Sequence, residues 1–389
     1  MSVDDDKTRR GAAPTARSIP PVGVRLPRPP SVRPPSVRPP SMRPPSMRPL
    51  VAATRLSEID FDLVNASRRI VESALGLVRG ERLLVVSDRA RKDVALEIEE
   101  AAGHVGATTV VVELEDFGER PLRRLPEGVR NEVEKAQATL LIVGCDDGEL
   151  GMREELVGLV KALNLRHGSM LGVTRRSMLA GFTVDPSRIL DATRAVRQRM
   201  RSNSKLHLRT AAGSDLEVRI GADRRWVEWV GVVRPGRWED LPSGQLITAP
   251  ADVNGTFVAD ASIGGFAGAA AGLLERHPVR VEIEGGVCKN VHSTDLALQR
   301  SVEEFLRREH NLDRVGQISL GTNVGILQPI GELTCDQNLP GLHISFGSTL
   351  SELTGGTVAT RARLAMTCAG ADVDLDGSAL MRSGRYMVV

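Results

Sequence analysis

The chain contains no pair of cysteines spaced C-x-x-C, and no apolar run approaches the roughly 18 residues of a membrane span. Cys145, Cys288, Cys335 and Cys368 lie far apart, so neither a structural zinc site nor a disulfide framework is expected. Thiols in a reducing compartment follow from that spacing. The N-terminus lacks the apolar stretch of a signal peptide, and the expectation is a soluble, cytoplasmic protein with no membrane partner. No strand-like run leads into G-x-G-x-x-G or G-x-x-x-x-G-K-[ST], which leaves nucleotide binding with little support. No nucleophile elbow accompanies Cys335, Cys288 or Ser345.

Charge of one sign is also scarce. The net charge is +2, and residues 1 to 50 hold ten Lys or Arg against three Asp, which leaves the rest of the chain at −5. A mildly acidic body gives no reason to expect a nucleic-acid partner.

The N-terminal segment supplies what the body lacks. Residues 29 to 48 read PPSVR PPSVR PPSMR PPSMR, and 13 of the 22 prolines fall within the first 50 residues. Such a segment cannot bury a core, and a disordered, partly polyproline II tail is expected over residues 1 to 55. It suits a solvated spacer, or a ligand for a proline-reading groove or an acidic partner.

At 389 residues with 41% apolar content, the chain is long enough for two domains. From residue 56, helical spacing over 60–78 leads into RLLVVSD (82–88), then KDVALEIEEAAGHVGA, TTVVVELE (108–115), ATLLIVGCDD (138–147) and SMLGVT (169–174). This alternation predicts an α/β domain over residues 56 to 185, with an open, mainly parallel sheet. The acids of DDGELG (146–151) are expected in a solvated loop. After a helical segment at about 187–203 the pattern changes to short strands: KLHLRTAAGSDLEVRI (205–220), PVRVEIEGG (278–286), and glycine-punctuated runs beyond Val315 around one amphipathic helix at 294–309. Residues 186 to 389 are therefore predicted to form a β-rich α+β domain.

One histidine, His343, sits in GLHISFG (341–347) between apolar neighbours. A lone imidazole there is a satisfied core group or a metal ligand, and other positions must decide.

The order of motifs AGFTVDPSRI (180–189), AAGSDLEVRI, LPSGQLITAP (241–250), NGTFVADASI (254–263), GQISLGTNVGI (316–326), GLHISFG and DVDLDGSALMRSGRYM (372–387) resembles the leucyl aminopeptidase, or aminopeptidase T, family. That family also includes ring-opening dihydroxypyridine dioxygenases. The resemblance spans about residues 60 to 389. It implies a homodimer and a peptidase with two divalent metal ions, held by a Glu in LPxGE, a Glu before GTN, a His in HIxxG and a following His-x-Asp pair. Those types suit the chemistry, because carboxylates offset the cations while a bridging water loses its proton.

Carried over residue by residue, the first Glu becomes Gln245, the second Gln317, and the His-x-Asp pair Arg363 and Ala365. Only His343 keeps the family's type. A guanidinium has no lone pair for a metal, so Arg363 would repel a cation or take its place. The family's tyrosine after the histidine motif is missing too, and the one tyrosine is Tyr386. Asp336 in TCDQN falls where the family carries acids, and with His343 and His310 it is a conceivable new ligand set. His310 and His292 otherwise read as helix-end residues. Three functions follow: a metal-dependent aminopeptidase acting on peptides, a non-catalytic binding or scaffold relative, or an altered enzyme that holds a small anionic or aromatic molecule with Arg363.

Overall fold

The computed structural model describes residues 61–265, 272–358, 360 and 362–387. All of these fall in one compact unit, Met47–Val389. The tail expected over residues 1 to 55 lies outside the described residues.

The first part is an α/β layer. Strands β1 (Arg82–Ser87), β2 (Thr108–Glu113), β3 (Ala138–Ile142), β4 (Arg166–Ser169) and β8 (Arg237–Asp240) form one parallel sheet in the order β2-β1-β3-β4-β8. A parallel strand covered on both faces must be apolar throughout, and Leu83–Val86 and Ala138–Ile142 are buried without a break. Alternate residues divide between two cores. Leu83 and Val85 pack with helices α1 (Phe61–Arg68), α2 (Lys92–Val105) and α5 (Arg175–Gly181), while Leu84 and Val86 pack with α3 (Glu127–Val133) and α4 (Leu150–Ala162). Helix α2 ends at Gly106, whose φ of +83° is a left-handed conformation that glycine adopts without a Cβ penalty.

Two strands of this sheet differ from expectation. The strand expected at 169–174 is the polar stretch RHGS at 166–169, where buried His167 pairs with the Thr139 hydroxyl at 2.7 Å. Strand β8, sequence RWED, has no counterpart among the expected elements. Four residues, three of them charged, give no periodicity to read, yet they pair in register with β4 from Arg166↔Arg237 to Ser169↔Asp240.

Helix α6 (Pro186–Arg199) leads from this layer to the second part. Its N-cap Asp185 accepts the Ser187 N–H, and Pro186 at the first position needs no partner for a missing N–H.

The second part is β-rich. An eight-stranded sheet runs β13 (Val287–His292), β12 (Val279–Glu284), β10 (Pro250–Ala259), β6 (Asp215–Ile220), β5 (Lys205–Arg209), β17 (Asp372–Leu375), β18 (Ser378–Arg382) and β19 (Arg385–Tyr386). A six-stranded sheet runs β11 (Ile263–Gly264), β16 (Arg363–Met366), β15 (Gly341–Gly347), β14 (Val315–Gly321), β9 (Gln245–Thr248) and β7 (Val227–Trp229). The two share one core, into which helix α7 (Leu296–Arg307) inserts Leu298, Val302, Phe305 and Leu306. That helix starts at Asp295, whose carboxylate accepts the N–H groups of Ala297 and Leu298. Among the described residues, no helix is long and apolar enough to cross a membrane.

Candidate functional site

Antiparallel register fixes which side chains share a face, because directly paired residues point the same way. In the six-stranded sheet Gln245 pairs with Gly321, Ser319 with His343, Gln317 with Ser345, Ser345 with Ala365, and Gly347 with Arg363. Gln245, Gln317, His343, Arg363 and Ala365 therefore all lie on one face. The opposite face carries Leu246, Ile318, Leu320, Leu342, Ile344, Phe346, Leu364 and Met366, all in the shared core. The sheet thus separates an apolar side from a side built of amides, imidazole and guanidinium.

That polar side is covered by the segment 322–340, which includes the short helix α8 (Leu333–Asp336). The Gln245 amide donates to Asn338 Oδ1 at 3.1 Å, and Asn338 Nδ2 donates to the carbonyls of Pro242 and Thr334. Arg363 Nη2 donates to Gln337 Oε1 at 3.1 Å. Gln317, on the same face, donates to the Ser348 carbonyl at 2.5 Å. The covering segment is tied back to the α/β layer: Asn323 donates to the Gly181 and Ser243 carbonyls, and Thr174 donates to the Glu332 carboxylate.

His343 is 2% exposed. Its Nδ1 accepts the Cys368 N–H at 3.3 Å, so Nε2 carries the proton and donates to the Leu339 carbonyl at 2.8 Å. Burial pushes its pKa down to about 4, so the ring is neutral near pH 7. With one nitrogen accepting and the other donating, neither ring nitrogen has a free lone pair. Asp336 is fully buried and its carboxylate accepts the backbone N–H groups of Ile330 and Gly331, both at 2.8 Å. It closes its own loop. His310 and His292 line a separate open groove with Cys288 and Glu303 between β13 and α7. Among the described residues no three His, Cys, Asp or Glu side chains come together as a metal-holding group, the set His343, Asp336 and His310 included.

The divalent metal ions implied by the motif order can be tested on these donors. Ala365 has no donor atom, Arg363 is a cation, and Gln245, its amide nitrogen held by Asn338, offers only a neutral oxygen. His343 is saturated by backbone. The residues present do not fit such a group.

A second place of interest is the carboxyl edge of the parallel sheet, where open α/β folds bind ligands. The strand order reverses direction between β1 and β3. That crevice is filled by the protein itself. Arg120 forks onto Glu149 at 2.7 and 2.6 Å and reaches Asp88 Oδ2 at 2.8 Å, while Asp88 also accepts the Gly144 N–H at 2.6 Å and pairs with Arg91. Burial raises the Asp88 pKa, but the hydrogen bonds from Arg120 and Gly144 and the charge of Arg91 outweigh it and hold the group below its ordinary value. Glu149, expected in a solvated loop, is fully buried in this network.

Further along the same edge, β4 ends at Ser169 and β8 at Asp240. Burial pushes the Asp240 pKa up, opposed by the charge of Arg363, a hydrogen bond from Ser169 and the charge of Arg153. Arg363, on the polar sheet face, thus acts electrostatically on the end of the parallel sheet. Asp240, Arg153 and Ser169 carry no sequence signal, because β8 itself is illegible there.

Residues 171–309 match the family model of the 2,5-dihydroxypyridine 5,6-dioxygenases. The matched stretch includes Gln245 and stops short of Gln317, His343 and Arg363. Among solved structures, the chain is similar to 2,5-dihydroxypyridine dioxygenase from Pseudomonas putida KT2440, with 19% identity, a TM-score of 0.58, and coverage of 84% of this chain and 97% of that one. It is also similar to AmpT from Thermus thermophilus, with 17% identity, a TM-score of 0.59, and coverage of 85% and 100%. No curated protein matches the chain. Likeness at these identities establishes a shared fold that contains both a dioxygenase and AmpT.

Proposed function

We propose that this protein is a binding relative within that fold, in which the sheet face that corresponds to a metal centre has become a closed, hydrogen-bonded structural surface. The reading departs from aminopeptidase and dioxygenase activity alike. The observation that carries it is the state of His343: the one residue matching the ligand pattern spends both ring nitrogens on backbone groups. Gln245 and Gln317 fit the same account, since a neutral amide keeps the shape of a carboxylate and removes its charge. Each donates hydrogen bonds, as an ionised carboxylate cannot.

The test is metal content and turnover of the purified full chain. We expect less than about a tenth of an equivalent of manganese, iron, cobalt or zinc, because each missing ligand costs affinity steeply. Hydrolysis of leucyl-anilide with added cobalt or manganese, and consumption of 2,5-dihydroxypyridine with added ferrous iron, should stay at background. Near-stoichiometric metal together with EDTA-sensitive turnover of either substrate would refute the reading.

A further inference from the structure

We propose that the arginine-rich run from helix α6 into β5 is a docking surface for the phosphate backbone of double-stranded nucleic acid, bound without regard to base sequence. The proposal does not depend on the state of His343.

The charge is local, and the net charge of the body hides it. Beyond residue 50 the chain totals −5, yet residues 188 to 205 hold Arg188, Arg194, Arg197, Arg199, Arg201 and Lys205 against Asp191 alone, a net of +5. Helix α6 buries Pro186, Ile189, Ala192, Thr193 and Val196, which leaves Arg188 and Arg194 on the exposed side. A turn closed by the Ser204 hydroxyl, which accepts the Arg201 N–H, carries the run on through Arg201 and Lys205, both exposed. Elsewhere arginines are held by carboxylates, as Arg82, Arg120, Arg166 and Arg209 are. Among the described residues none of the six cations in this run has an ion pair, and their one side-chain hydrogen bond, from Arg197 to the Met200 carbonyl, is 3.5 Å long. The start of β5 gives a second sign. Lys205 stands directly opposite Arg219 of β6, and like charges so placed destabilise a sheet. The acids flanking that pair, Asp252 and Asp376, are engaged with the Asn254 amide and with the Ser204 hydroxyl and Lys205 N–H. An anion from outside would relieve the repulsion.

What the run lacks decides the partner. No large apolar side chain between residues 186 and 219 is exposed, so a membrane finds nothing to insert and a protein partner finds no apolar centre of the kind that carries such interfaces. No Phe, Tyr or Trp lies there either, which removes the stacking on which single strands depend. Guanidiniums match phosphate oxygens two at a time, and interfaces with duplexes are polar and positively charged. From Arg188 to Arg199 an α-helix rises about 16 Å. A duplex carries one negative charge per roughly 1.7 Å of its axis, so several phosphates come within reach together.

The experiment is fluorescence anisotropy of a labelled DNA duplex of mixed sequence, titrated with the full chain at salt from about 50 to 200 mM. Saturable binding in the micromolar range is expected at the lower salt, with log K falling against log salt at a slope of about −3 to −5. A second duplex of unrelated sequence should bind within about twofold. The double variant Arg194→Gln, Arg201→Gln should bind at least about tenfold more weakly, with a slope shallower by nearly two. Arg194→Lys with Arg201→Lys keeps the charge and should stay within about threefold of the parent, which separates lost contact from lost fold. The N-terminal tail is basic as well, so the same Gln pair is repeated in a chain with Arg33, Arg38, Arg43 and Arg48 changed to Gln, where it should still cost about tenfold. Competitors are polyglutamate and vesicles of phosphatidylcholine and phosphatidylserine at about 7:3, and neither should displace the duplex as well as unlabelled DNA does. The proposal is overturned if no saturable binding is seen at the lower salt, if the Gln pair binds like the parent, if the tail substitutions alone abolish binding, or if either competitor matches DNA.

Discussion

The carboxyl edge of the parallel sheet holds charged groups at both ends, and the two ends are paired to different degrees. At β1 and β3, Arg120 is matched atom for atom by Glu149 and Asp88, and Asp88 is further held by Gly144 N–H and Arg91. At β4 and β8, burial raises the Asp240 pKa against the charges of Arg363 and Arg153, and Arg153 Nη1 has no hydrogen-bond partner among the described residues. The first place is where the strand order reverses, and position alone would select it as the ligand site. Saturation argues the reverse. A crevice whose donors and acceptors are already paired offers a ligand nothing, whereas the β4–β8 end keeps at least one donor unpaired.

The sharpest way to break this contrast is to unpair the saturated end. Arg120→Ala leaves Glu149 and Asp88 buried without their guanidinium, and removing one partner of a buried pair costs about 3–5 kcal/mol. Chemical denaturation should register a loss of that size, with the m-value unchanged. A loss below about 1 kcal/mol would mean that the network is solvated and that the two ends do not differ as described.

Between the two ends in expected size lies Glu239, the neighbour of Asp240 on β8. Its Oε2 accepts the N–H groups of Val230 at 3.1 Å and Gly231 at 2.7 Å, fixing the end of β7 to the parallel sheet. Burial pushes its pKa up to about 7 despite those hydrogen bonds. The unfolded chain releases this proton at the ordinary value of 4.5, so between about pH 4.5 and 7 the folded state holds more protons. Stability therefore falls as pH rises through that window and is level above it. Glu239→Gln keeps an acceptor and removes the titration. It should match the parent near pH 4.5 and exceed it by roughly 3 kcal/mol at pH 8, since each tenfold change in proton affinity is worth about 1.4 kcal/mol. Equal pH profiles for the two proteins would show that Glu239 stays ionised in the fold. The buried histidines work in the opposite sense. His167 and His343 both have pKa values pushed down to about 4, so they withdraw stability as pH falls from 6.5 toward 4, and the variant should expose that acid limb more clearly.

How much of this is legible in the sequence depends on what each residue has to declare. The α/β layer announces itself because a strand covered on both faces is apolar throughout, as in RLLVVS and ATLLI. The hairpin around Gly213 and the helix containing Leu298 and Val302 are readable from their periods. Motif order puts Gln245, Gln317, His343, Arg363 and Ala365 together, and register places them on one face. The partners of those residues are not legible. Asn338, Gln337 and the Leu339 carbonyl belong to a covering segment without periodicity, and whether an imidazole is free or saturated depends on backbone atoms that any residue supplies. RHGS and RWED escape notice for a related reason. Polar strands are stabilised by contacts distant in sequence, such as Thr139 with His167, and the edge that carries Asp240 cannot be seen without them.

The smallest expected effect sharpens the contrast from its other side. Because Arg153 Nη1 has no partner among the described residues, Arg153→Leu should cost less than about 1 kcal/mol, and removal of that buried nitrogen makes a slight gain the more natural outcome. The helix should tolerate the exchange, because leucine and arginine have similar helix propensities and Arg153 lies within α4. Thermal unfolding of the parent and variant gives the decisive comparison: the two midpoints should nearly coincide. A loss of the size predicted for Arg120→Ala would instead make Arg153 a structural charge, and the two ends of the sheet would then be the same kind of place.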